Sequence, residues 1–124
     1  MKDILLVSFG SVLGANIRYI ILKKIEKINL TNHIGIVIIN SFASFLLGFF
    51  LSILPRIGSD EFSYQLALFF LIGLLGSLST FSTFIFDLFN FCLQFKILRA
   101  LKLFLISISM GIIALAFGIF LGNQ

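Results

Sequence analysis

Between Gly73 and Asp87 the chain reads GLLGSLSTFSTFIFD, placing five hydroxyl side chains, two glycines and a carboxylate inside an otherwise apolar run. Hydroxyls of this kind are donors and acceptors for an ion that has shed its water. The spacing predicts that the backbone leaves the helix near Gly76 to Thr80, freeing carbonyls that suit a small cation and N–H groups that suit an anion. An unbroken helix, with each hydroxyl bonded back to the carbonyl four residues earlier, accommodates the same residues. Phe81 and Phe84 lie three apart and share a face just after this point. A phenyl edge is positive and can touch an anion without holding it as an ammonium would. On spacing alone, two rings among 17 phenylalanines also serve as ordinary bundle packing.

Other polar residues stand in the same apolar setting. Asn40, with Ser44 one turn later, is an amide that needs a partner in hydrocarbon, either across a helix contact or along a polar path. Arg18 is the only charge inside the first apolar run, where it either concentrates anions at a mouth or anchors the helix end. Asp87 is a functional candidate by its depth, and an ion pair or helix-end contact on the side of Arg18 is the role expected for it. His33 falls in a loop by hydropathy and Cys92 stands alone, so no nucleophile and base, and no metal-ligand set, is expected at membrane depth. Catalysis is therefore not expected.

The elements that carry these residues follow from composition. Of 124 residues, 60% are hydrophobic and the mean hydropathy is +1.17, which excludes a soluble domain and points to an all-α membrane protein. Four apolar runs, about 4–22, 34–54, 66–93 and 103–121, approach or exceed the ~20 residues that a spanning helix requires. They form a single four-helix transmembrane domain over residues 1–124. The first run is interrupted by Gly10, Gly14, Asn16 and Arg18, which argues against a cleaved signal peptide. Gly10 and Gly14 form a small-x-x-x-small pair, and Ser107, Gly111, Ala114 and Gly118 repeat the device along the fourth span. Four such helices enclose no wide lumen, so a transport path calls for a second copy.

The loop charges set an orientation. Lys2 and Arg56 fall on one side, and Lys23, Lys24, Lys27, Lys96, Arg99 and Lys102 on the other. The positive-inside rule puts the more basic side in the cytoplasm, with both termini and the Pro55–Ser63 loop outside. This explains the formal charge of +4 without nucleic acid.

Three segments together resemble the CrcB/Fluc fluoride channel family: Gly14-Ala-Asn-Ile-Arg18-Tyr19, Gly35-Ile-Val-Ile-Ile-Asn40 with Gly48, and Gly76-Ser-Leu-Ser-Thr-Phe-Ser-Thr-Phe84 with Asp87. The resemblance implies a fluoride-selective channel of the cell membrane that exports fluoride passively. It also implies an antiparallel dimer of four-helix subunits, broken in the third helix, with two narrow pathways and a structural sodium ion at the centre. In the family's pattern the sodium is held by backbone carbonyls that map to Gly76 and Ser79. Fluoride meets ring edges that map to Phe81 and Phe84, hydroxyls at Ser82, Thr83 and Ser107, the amide of Asn40, and Arg18 in the vestibule.

Departures from the pattern are visible. Asp87 stands where glutamate is frequent, Ala43 where glycine is usual, Ile36 where threonine is common, and Leu103 where an aromatic hydroxyl is expected. The lost hydroxyl and the charge bias favour pairing with an oppositely oriented, charge-reversed paralogue over pairing with self in dual orientation. Two other classes fit the residues less well. A small multidrug-type cation exporter needs a carboxylate deep in its first helix, and none is present. A non-conducting assembly subunit would tolerate isoleucine at Phe81 and Phe84.

Overall fold

A computed structural model describes residues 1–27, 32–57 and 60–124, so the first loop at 28–31 and the centre of the Pro55–Ser63 loop lie outside the described residues. Among the described residues the chain is all helical, and four helical stretches are long and apolar enough to cross a membrane: Lys2–Lys27, His33–Arg56, Asp60–Leu93 and Ile97–Gly122. The first runs past its apolar segment because charged residues finish it. Helix α1 (Lys2–Lys27) has Asp3 in its first turn and Lys24 and Lys27 in its last, each sign complementing the helix dipole. Helix α2 (Asn32–Ile53) passes into a 3-10 turn, Leu54–Arg56, where Pro55 occupies an initial position that needs no N–H. Arg56 then reaches the opposite chain end, donating from Nη1 to the Gly122 carbonyl at 3.3 Å and from Nη2 to Asn123 Oδ1 at 3.1 Å.

The third span is irregular. Helix α3 (Asp60–Ala67) continues into a wider, π-helical stretch at Leu68–Leu75 and a last α-helical turn, α4 (Gly76–Leu78). Ser79 (φ −69°, ψ 150°) and Thr80 (φ −137°, ψ 108°) are extended, and α5 (Phe81–Leu93) starts afterwards. A tight turn centred on Phe95, in the left-handed region at φ 55°, leads to α6 (Ile97–Gly122). There Lys96 N–H donates to the Phe91 carbonyl and Phe95 N–H to the Cys92 carbonyl, which satisfies the end of α5.

Glycines decide which helices touch. A Cβ at Gly10 would strike the Phe69 carbonyl, and one at Gly14 the Leu74 carbonyl and Ser77 Oγ, so the α1 pair seats that helix against the third span. Gly118 meets the Phe45 carbonyl and Gly48 the Leu115 carbonyl, which locks α6 to α2. The small-residue stripe of the fourth span is thus consumed within the chain. Ile39, Ala43, Leu75 and Leu78 form the buried centre, with Leu46, Leu47, Phe50, Leu71 and Leu74 around it. Outside, large apolar side chains such as Phe9, Phe104, Ile112 and Phe117 are exposed, as a bilayer or a second membrane subunit requires.

Candidate functional site

The site is built where α2 faces the two extended residues of the third span. Ser79 N–H still donates back to the Leu75 carbonyl at 3.1 Å, but Thr80 has no such helical partner, and Asn40 supplies one on both sides. Thr80 N–H donates to Asn40 Oδ1 at 2.9 Å, and Asn40 Nδ2 donates to the Thr80 carbonyl at 3.2 Å. In a continuous helix that Thr80 N–H would have gone to the Gly76 carbonyl. Asn40 therefore stabilises the extended backbone and releases Gly76. Thr80 is buried, and its Oγ1 lies 3.0 Å from Thr83 Oγ1, one turn along α5.

Most of the residues singled out in the sequence converge here. Phe81 and Phe84 have ring centroids 6.3 Å apart, with Phe84 buried against Phe104 of α6 and Phe81 at 72% exposure. Ser82 and Thr83 are exposed beside Phe81, so this face of α5 opens away from the chain's own core. Arg18 of α1 reaches across to the extended segment, its Nη1 3.4 Å from the Ser79 carbonyl. Ser107 is half-buried on α6, and among the described residues no polar contact joins it to the others. Gly76 and Ser79 border a cavity of about 140 Å³ together with Ala43, Ser44, Leu47, Leu71 and Leu75.

Two residues take places that hydropathy did not assign. His33 belongs to α2 rather than to a loop, and it, not Arg18, meets the carboxylate: His33 Nδ1 lies 2.8 Å from Asp87 Oδ2. Both atoms are sealed from solvent and form no hydrogen bond among the described residues, so each is the other's close polar neighbour. His33 also packs on Phe91, with centroids 4.7 Å apart. Thr80, which sequence reasoning left unassigned within the hydroxyl cluster, is the hinge of the arrangement. Its signal was its position directly before Phe81, where the new helix starts.

The sequence profile described as CrcB-like protein, Camphor Resistance (CrcB), matches residues 5–119. The chain belongs to the CrcB family. It is similar over its whole length, at 59% identity, to a protein named fluoride-specific ion channel FluC 2 of Prochlorococcus marinus (strain NATL2A), all of which is covered. It is 36% identical over 97% of its length to fluoride-specific ion channel FluC 1 of Parasynechococcus marenigrum, covering 93% of that protein. With fluoride-specific ion channel FluC of Ignicoccus hospitalis the identity is 33%, over 95% of this chain and 93% of the other. In this CrcB chain the Asn40–Thr80 clasp and the rings after it form the polar centre of an otherwise apolar bundle.

Proposed function

We propose that this CrcB chain is a subunit of a fluoride-selective channel that lets fluoride leave the cell by passive permeation, with no reaction catalysed. The observation that carries the reading is the juxtaposition of the Asn40–Thr80 clasp with Phe81, Ser82, Thr83 and Phe84 at membrane depth. Fluoride is small and strongly hydrated, so a path must offer hydroxyl, amide and ring-edge donors in place of water without trapping the ion. The 59% identical relative named as a fluoride-specific channel supports the same assignment.

Assembly follows from what one chain leaves open. Phe81, Ser82 and Thr83 face outward, so a second protomer is needed to wall the path. An antiparallel partner would give two narrow pathways related by symmetry. The loop charges, two against six, together with Leu103 on α6, favour an oppositely oriented paralogue, with both termini of this chain outside. Ser107 joins the path from α6 once the partner's surface is added.

A structural sodium ion at the dimer centre suits Gly76 and Ser79. The Gly76 carbonyl has lost its helical N–H to Asn40, and both residues border one cavity. Neutral backbone oxygens are hard ligands that favour a hard, monovalent cation. Arg18 lies against the Ser79 carbonyl, which has a second lone pair to offer. When bound, such an ion would lower the electrostatic cost of a nearby anion. Arg18 itself adds positive potential where fluoride would enter.

The test is fluoride efflux from liposomes, measured with an electrode, for the chain reconstituted alone and co-expressed with an oppositely charged paralogue. Efflux in either preparation, lost in Phe81→Ile, supports the reading. Absence of efflux in both, or efflux indifferent to Phe81→Ile, contradicts it.

A further inference from the structure

Two contacts between α2 and α5 stand in one register: Asn40 with Thr80, and His33 with Asp87. Seven residues separate the members on each helix, about 10 Å of rise. They make one polar seam along facing, antiparallel helices, with exposed Thr83, 3.0 Å from Thr80, at its outer edge. At one end of the seam is the neutral amide clasp beside the phenyl rings. At the other is a buried carboxylate, the group most repellent to an anion.

Resting on the channel reading above, we propose that His33 is a positioning residue for permeation: protonated, it neutralises Asp87 and opens that end of the seam to fluoride; neutral, it leaves the carboxylate charge to repel the ion. Imidazole is the side chain that ordinarily changes charge between pH 5 and 8. No other side chain on the described parts of α2 or α5 is charged. On the neighbouring elements, Lys96 before α6, Arg99 and Lys102 of α6 and Lys23, Lys24, Glu26 and Lys27 of α1 are exposed to solvent, while half-buried Arg18 of α1 donates to the Ser79 carbonyl at 3.4 Å, at the Asn40–Thr80 end of the seam. The Asp87 carboxylate is buried and, among the described residues, the imidazole is the ionisable group it meets, so its neutralisation is assigned to that ring.

The experiment uses the conducting preparation defined above and compares efflux at pH 8 and pH 6, subtracting the Phe81→Ile background at each. Wild-type efflux should rise several-fold at pH 6. His33→Lys should keep high efflux at both pH values, because its charge persists across the range. His33→Gln should lower efflux about tenfold at pH 6 by leaving one uncompensated charge, on the order of 1.4 kcal/mol. Adding Asp87→Asn to His33→Gln should restore efflux and abolish its pH dependence. A purely structural pair would give losses that do not follow charge in this way. Wild-type efflux that is independent of pH, or unchanged in His33→Gln, overturns the inference and leaves the channel reading standing. A wild type without efflux in either preparation overturns both.

Discussion

Asn40 is the residue on which the site depends. A hydrophobic replacement leaves the buried Thr80 N–H without an acceptor, a loss of about 1–3 kcal/mol. Asn40→Leu is therefore expected to lower the melting temperature of the detergent-solubilised protein and to abolish fluoride efflux. Asn40→Asp separates the two effects. It retains an acceptor for Thr80 and so keeps more of the stability, while the added carboxylate repels the anion and efflux is still lost. The importance of Asn40 was legible in sequence, since an amide in hydrocarbon demands a partner. Its partner was not, because Thr80 is forty residues away and nothing local in α2 selects it. The same holds for His33, whose hydropathy assigns it to a loop although α2 begins at Asn32 and carries it to Asp87.

At the scale of elements, the helices and their approximate limits could be read from apolar run length, and close-packing faces from the spacing of small residues. The choice of neighbour could not. The fourth span's stripe fits a second subunit as well as it fits α2, and only the backbone positions show that α2 takes it. The contacts differ in tolerance along that stripe. Gly118→Leu would drive a side chain into the Phe45 carbonyl, which is backbone and cannot swing aside, so a loss of about 1–3 kcal/mol or more is expected. At Gly111 the nearest neighbour of an added Cβ is Ser44 Oγ at 3.6 Å, an ordinary contact, so Gly111→Ala should be close to neutral. Thermal unfolding of both variants in one detergent checks the contrast. The π-helical stretch at Leu68–Leu75 left no trace in the sequence, because LFFLIGLL is as apolar as any α-helical span. Its widened turns accompany the close approach of Gly73 to Gly10, where a Cβ on Gly73 would lie 2.7 Å from the Val7 carbonyl.

For the whole molecule, family membership was carried by the order of three short segments and is matched across residues 5–119. How the proposed assembly would wall a path was not legible, since Phe81, Ser82 and Thr83 look outward from the chain. A path formed there should discriminate by hydration: ring edges, hydroxyls and an amide replace the water of a small, strongly hydrated anion without a strong cationic trap. The decisive measurement follows fluoride and chloride efflux with two ion-selective electrodes from the same loaded liposomes, reconstituted with the chain alone and, in parallel, with the chain co-expressed with the oppositely charged paralogue proposed above. Fluoride should drain from a conducting preparation while chloride is retained until detergent is added. Equal release of both ions, or retention of fluoride in both preparations, would contradict the assignment.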